Sequence, residues 1–242
     1  MRNLDFFSEI KIAHKGLHEI DKGIFENTIG AFEKAVQKGY PIELDIHLTK
    51  DRKIVVMHDN NLLEMTGIDK KIRDLTYEEI SEYKIKNSDQ KVPLLEDVLK
   101  VVKGKVLLVI ELKTYYNIGP LERELVKVLE GYEGKIAVQS FNPFCLAWFK
   151  KNKPEYIRGL LSSDFRFHRY SFVKRVILKN LWLAKVGKPD FVAYDINALN
   201  DRIVSKIKSM KAKVITWTID DAEKLEKAES MCDGIIFENL LN

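Results

Sequence analysis

The architecture this sequence predicts is a (β/α)8 barrel, and three observations predict it. Eight short β-branched runs alternate with helical patterns along the chain. Several of the runs end in polar or charged residues, as strands do at the C-terminal mouth of a barrel. No Pro/Gly/Ser-rich linker, low-complexity stretch or internal repeat interrupts the 242 residues. The expected organisation is therefore one domain over 1–242, with a small insertion at about 50–93.

Taken in order, the first strand is 10–14, and a helix over 28–38 follows it. The second strand is 41–46. A further β-like run, 53–57, begins too soon after it for a parallel crossover and so returns as a hairpin arm. The stretch 60–93 is longer than a hairpin exit requires. Within it Thr76 and Glu79 form a capping-box pattern for a short helix over 77–83, which predicts a small cap. Helix 95–102 leads to strand 106–113, and helix 121–129 to strand 136–141. Helix 144–151 precedes strand 158–161, and an amphipathic helix is expected over 172–184 before strand 191–194. Asn200 and Asp201 open a helix over 201–210, followed by strand 214–218. Asp220, with Glu223 three residues on, starts a helix over 221–228 ahead of the last strand, 234–237.

Composition bounds the function classes. With 45% hydrophobic residues the chain can bury a sizeable core. Lysine plus arginine, 40, barely exceed aspartate plus glutamate, 36, so no global field calls for nucleic acid. The apolar runs fall short of a membrane span, the N-terminal residues form no leader-like apolar core, and two cysteines suit a reduced compartment. A cytoplasmic protein is expected, with Cys145 and Cys232 as buried small hydrophobes.

The chemistry collects at strand ends. The first strand closes on Ile12-Ala13-His14-Lys15-Gly16. In Ile42-Glu43-Leu44-Asp45-Ile46 the period-two geometry puts both carboxylates on one face. Glu111 and Lys113 share a face in the same way, and the hairpin arm would bring His58 back over the mouth. Three converging carboxylates repel one another unless a cation holds them. Oxygen ligands without cysteine favour Mg²⁺, Ca²⁺ or Mn²⁺ over zinc. His14 and His58 beside such an ion have the titration range of a general acid and base. Each piece has a plainer reading: a lone Glu-x-Asp is more often a solvated edge, and Lys113 can be a structural partner of Glu111. Charged residues at three separate strand ends, each inside an apolar run, carry the metal reading.

At these residues the chain resembles the glycerophosphodiester phosphodiesterase family. Its His-Arg-Gly is similar to His14-Lys15-Gly16, and its Pro-Glu-Asn-Thr to Phe25-Glu26-Asn27-Thr28. Its Glu-x-Asp with a threonine-aspartate turn resembles Glu43-Leu44-Asp45 with Thr49 and Asp51. Its His-Asp resembles His58-Asp59, and its Glu-x-Lys resembles Glu111-Leu112-Lys113; Ser140-Phe141 and Trp217-Thr218 also fall where the family has such residues. The likeness runs from about Ile12 to Ile236. It implies one divalent ion on Glu43, Asp45 and Glu111, and acid-base catalysis by His14 and His58. Lys15 and Lys113 would face the phosphate, with Glu26 and Asn27 ordering the first loop. The implied reaction is hydrolysis of a glycerophosphodiester to sn-glycerol 3-phosphate and an alcohol, by attack of the glycerol 2-hydroxyl and opening of a cyclic phosphate.

Three departures stand out: Lys15 for arginine, Phe25 for proline, and Glu238-Asn239 for the threonine-aspartate after the last isoleucines. Lysine offers a point charge where arginine offers a fork. Alternative readings are phospholipase C/D-like cleavage of a (lyso)phospholipid, and a catalytically weakened barrel that binds a phosphodiester. Trp217 is an aromatic wall for the substrate or a buried barrel tryptophan. The expected partner is a small-molecule glycerophosphodiester, with no nucleic acid. The basic, aromatic segment 165–188 is either the solvated face of a barrel helix or a weak contact for a membrane surface. Oligomeric state is not legible.

Overall fold

The computed structural model describes residues 4, 7–114, 117–166 and 170–240. Nine strands follow one another as β1 (Ile10–Ala13), β2 (Ile42–Leu48), β3 (Ile54–Val56), β4 (Leu108–Leu112), β5 (Ile136–Ser140), β6 (Ile157–Ser162), β7 (Phe191–Asp195), β8 (Lys213–Ile219) and β9 (Gly234–Phe237). Their order in the sheet is β1-β9-β8-β7-β6-β5-β4-β2-β3, with β1 also paired to β2. Set aside β3, and this is the eight-strand order of the (β/α)8 barrel expected from the alternation.

The chain divides into two compact units, one of Ala13–Ile136 and one of Met1–Ile12 with Ala137–Asn242. In the first, β2 pairs in parallel with β4 and antiparallel with β3, so the run after β2 is a hairpin arm. Helix α1 (Ile29–Lys38) begins where Thr28 accepts from the amide of Ala31. The insertion carries α2 (Leu63–Thr66) and α3 (Tyr77–Ser81), the second opened by the reciprocal Thr76–Glu79 capping box. These short elements enclose a small core of Phe25, Met57, Leu62, Met65, Ile72 and Ile85, among others, which makes the cap a packed structure. Asp51 tethers it to the hairpin by accepting from Thr49 Oγ at 2.6 Å and from the Tyr77 amide at 3.1 Å. Helices α4 (Leu95–Val102) and α5 (Pro120–Val128) flank β4 in sequence.

The second unit runs β5, α6 (Pro143–Asn152), β6, α7 (Phe172–Lys179), α8 (Ala184–Gly187), β7, α9 (Asp201–Ser209), β8, α10 (Ala222–Met231), β9. Its strands are parallel from β5 to β9. Gly159 is required here, because an added Cβ would lie 2.1 Å from the ring of Phe191 on the neighbouring strand.

Several local expectations are corrected. The helix expected over 172–184 breaks: α7 stops at Lys179, and Leu181 takes a left-handed backbone with φ 56° before α8 begins. The helix start read at Asp220 is one residue later, where Asp221 accepts from the Lys224 amide. Cys145 is buried as expected, whereas Cys232 is partly exposed; neither forms a disulfide among the described residues. Phe167, His168 and Arg169 of the basic segment lie outside the described residues. Among the described residues no helix is long and apolar enough to cross a membrane.

Candidate active site

Strand register assembles the acidic cluster. Asp45 on β2 lies opposite Glu111 on β4, and Glu43 opposite Val109, so alternation along β2 sets Glu43 and Asp45 on the face that Glu111 shares. One carboxylate oxygen from each of Glu43, Asp45 and Glu111 lies within 4.8 Å of the others. All three are buried, at 2%, 1% and 6% exposure, so their repulsion is poorly screened by water. Lys113, two residues past Glu111, folds its Nζ into the group, 2.8 Å from Asp45 Oδ1 and 2.7 Å from Glu111 Oε1.

The titration behaviour follows from that geometry. Burial outweighs every other influence on Glu43 and, with the charges of Asp45 and Glu111, pushes its pKa well up. Burial likewise pushes Glu111 up to about 7, although Lys113 opposes it. Asp45 goes the other way: burial raises it, but the cations around it, Lys113 foremost, together hold it far below the carboxylate range. Lys113 is raised above the ordinary lysine value because the two carboxylates overcome its desolvation. One ammonium does not balance three buried carboxyls. The oxygen-only donor set and its unbalanced charge fit a hard divalent ion, so these residues suit the group that the sequence implied.

The loop after β1 supplies the next layer. Ala13 pairs with Ile42, the residue before Glu43, and His14 opens the turn that follows Ala13. Lys15 and Gly16 both turn left-handed, with φ 54° and 83°. A Cβ on Gly16 would meet Ala31 Cβ at 2.9 Å, so the chain passes over α1 only with glycine there. This turn aims the Lys15 amide at Glu43 Oε2, 3.2 Å away, while its ammonium pairs with Glu26 Oε1 at 2.9 Å. Asn27, buried and also left-handed at φ 55°, donates its amide to Asp45 Oδ2 at 2.9 Å and accepts from the Asp45 amide at 3.4 Å. Asn27 thus fixes the orientation of Asp45, a more specific contact than the loop-ordering expected of it.

His58 follows the hairpin arm with its side chain 46% exposed, and its Nδ1 lies 2.8 Å from Asp59 Oδ1. Partial desolvation and the Lys113 charge keep it below the usual histidine range. One residue of this group was missed in the sequence. His47 continues the row of Glu43 and Asp45 on β2, is buried, and places Nε2 3.1 Å from the His58 carbonyl oxygen. Period-two spacing, 43, 45, 47, was the signal that would have found it. A shallow cleft lies beside His58, lined by Glu26, Asn27, Met57, Met65 and Ile85. Trp217 stands in the other unit, partly exposed, where its Nε1 donates to Ala193 O at 3.0 Å and its ring meets Phe141 edge-on at 5.8 Å.

Residues 13–241 match the glycerophosphoryl diester phosphodiesterase family. The chain belongs to that family. It is 30% identical over 244 residues to a glycerophosphodiester phosphodiesterase of Caldanaerobacter subterraneus, covering 94% of this chain and 93% of that protein. It is also 30% identical to the uncharacterized protein YqiK of Bacillus subtilis, over 92% of each. Among solved structures, a glycerophosphodiester phosphodiesterase of Thermotoga maritima superposes with a TM-score of 0.73 at 26% identity, covering 95% of this chain and 94% of that one. An Oleispira antarctica phosphodiesterase, solved with its product sn-glycerol-3-phosphate, shares the fold with a TM-score of 0.76 at 24% identity, over 96% and 94%. This family member is accordingly an enzyme of the phosphoric diester hydrolase class.

Proposed function

We propose that the chain, as a single family domain, hydrolyses glycerophosphodiesters to sn-glycerol 3-phosphate and an alcohol, with a divalent ion and two histidines. The observation that carries this reading is the buried meeting of Glu43, Asp45 and Glu111, with Lys113 inside it, in a member of this family. When bound, the divalent ion, Mg²⁺, Ca²⁺ or Mn²⁺, supplies Lewis-acid polarisation of the phosphoryl group. Glu43, Asp45 and Glu111 hold it, and Asn27 and the Lys15 amide orient two of those carboxylates.

The histidines divide the proton work. With Asp59 at its Nδ1, a neutral His58 ring carries its proton on that nitrogen and leaves Nε2 as an acceptor. It therefore suits the base that takes the proton of the glycerol 2-hydroxyl as that oxygen attacks phosphorus. His14, in the turn just past β1, then gives its proton to the departing alcohol oxygen. Water opens the resulting cyclic phosphate by the reverse proton path, so one diester and one water become glycerol 3-phosphate and alcohol. Lys15 and Lys113 lend positive charge to the phosphate, Glu26 holds Lys15, and the cleft under the cap receives the head group. Trp217 is assigned to the substrate wall. The setting proposed is cytoplasmic, in keeping with two cysteines that form no disulfide among the described residues. A second contact, with anionic lipid through 165–188, is independent of this chemistry.

The test is turnover of glycerophosphocholine and glycerophosphoethanolamine with each metal. Glycerol 3-phosphate should appear, chelator should abolish it, and His14→Ala and Glu43→Ala should each be inactive. No turnover of any glycerol diester or lysolipid with any of the three metals would overturn the reading.

A further inference from the structure

The connection from β6 to β7 is built unlike a helix that serves only to cover a sheet. Helix α9 in the same unit buries Ile203, Val204 and Ile207, whereas α7 buries none of its residues. Its C-terminal end is held by its own carbonyls: Leu178 O accepts from Ser162 Oγ at 3.2 Å and Lys179 O from Tyr194 Oη at 3.0 Å. Asn180 O accepts from Lys206 Nζ, and Leu181 inserts beside them, 3% exposed. Among the described residues the first turn has no such anchor. There Phe172 and Val173 stand 78% and 64% exposed, and past the break Trp182 stands 60% exposed.

The charge along this stretch of sequence is of one sign. No aspartate or glutamate occurs between Asp164 and Asp190, a stretch holding Lys174, Arg175, Lys179, Lys185 and Lys188. Arg166 is spent on Asp164, 2.5 Å away, but none of those five has an ion pair among the described residues. Lys174 instead lies over the ring of Tyr170, 3.7 Å from its centroid, which leaves its charge uncancelled beside Phe172. Exposed phenylalanine and tryptophan ringed by unpaired cations is the composition of a segment that lies in a headgroup layer, where rings enter the acyl boundary and ammonium groups meet lipid phosphates.

We infer that the β6–β7 connection docks this protein on an anionic bilayer surface, with Phe172, Val173 and Trp182 as the inserting side chains and Lys174, Lys179 and Lys185 as the contacts to phosphate. The surface involves none of the residues assigned to metal, proton transfer or phosphate, so lipid binding stands or falls separately from turnover.

Flotation of the full chain with phosphatidylglycerol-containing vesicles, against pure phosphatidylcholine vesicles, tests it at low and high salt. The expected result is co-flotation with anionic vesicles only, reversed by salt, with a blue shift of tryptophan emission on binding. Phe172→Ser with Val173→Ser, and separately Lys174→Glu with Lys179→Glu, should each lower partitioning by about tenfold or more. Far-UV circular dichroism and the melting temperature should match wild type. Absence of flotation at low salt overturns the inference. So does undiminished flotation of the Phe172/Val173 variant, and so does a wild-type dimer that this variant converts to monomer, since the face would then belong to a second copy.

Discussion

The ring Nε2 of His47 lies 3.1 Å from the backbone carbonyl oxygen of His58. His47 is a strand residue in β2, in the same alternating row as Glu43 and Asp45, while His58 follows the returning hairpin arm. Burial holds the His47 ring down to about 4, so it is neutral at physiological pH and donates from Nε2 to that carbonyl. A second bond, from the Met57 amide to Asp45 O at 2.9 Å, fastens the same arm one residue earlier. The position of the proposed base is thus set by the strand that carries two of the proposed metal ligands.

From this tie, His47→Ala should displace His58 without touching substrate. Loss of this part-buried bond should cost about 0.5–1.5 kcal/mol in stability. Activity should fall roughly tenfold, chiefly in kcat, because orientation is lost and binding is not. His47→Gln keeps a donor near the same place and should recover part of the rate. A kcat for His47→Ala equal to wild type would separate His47 from catalysis.

Lys113 invites a second measurement. Its ammonium bridges Asp45 and Glu111, so Lys113→Met removes the cation in direct contact with both buried carboxylates. The metal-free variant should lose about 3–5 kcal/mol at alkaline pH, the range for breaking one side of a buried pair. Millimolar Mg²⁺ should restore much of that loss, since a divalent ion offsets the same repulsion. Urea denaturation with chelator and with Mg²⁺ reads both quantities. Equal losses under the two conditions would mean that ion and lysine do not share the charge.

Much of this arrangement was legible because strands permit few explanations for a charge inside an apolar run. Glu43, Asp45 and Glu111 interrupt such runs, and period two alone puts the first two on one face. The cap was legible through Thr76 and Glu79, but α2 is a single turn, too short for any helical period to show. His47 escaped because an imidazole in a buried strand reads as readily as a packed side chain. The break after α7 was hidden for another reason. The amphipathic pattern continues to residue 184, and it is Ser162, Tyr194 and Lys206, distant in sequence, that capture the carbonyls of Leu178, Lys179 and Asn180.

Asn27 gives a third expectation. Its side-chain amide donates to Asp45 Oδ2 while its oxygen accepts from the Asp45 backbone, a two-point hold on one proposed ligand. Its left-handed φ of 55° is tolerated by asparagine and resisted by most other residues. Asn27→Ala removes both bonds and strains the turn, so Mg²⁺ affinity should fall about 10–100-fold, the usual effect of losing a partner behind a ligand. Calorimetric titration with Mg²⁺ measures this directly. Asn27→Asp should be worse still, because it adds a carboxylate beside Asp45.

The raised carboxyls make a prediction about pH. Glu111 is pushed from its ordinary 4.5 up to about 7 by burial, and Glu43 is raised as well. A carboxyl raised in the folded chain keeps its proton there after the unfolded chain has lost it. Its influence is neutral below the ordinary value, and stability declines as pH rises from there through the folded value. Asp45 works in the opposite sense, held low chiefly by Lys113, so its stabilisation is present above its ordinary value and is lost in acid. The metal-free protein should therefore be most stable in mildly acidic solution and measurably weaker at about pH 8 than at about pH 6. A bound divalent ion favours the ionised carboxylates, so it should erase that difference and release protons on binding near neutrality. Melting curves at both pH values with chelator and with Mg²⁺, and binding heats in buffers of different ionisation enthalpy, give the two readings. A metal-free protein equally stable at both values, with no proton released on binding, would show that the three carboxylates are already ionised before the ion arrives.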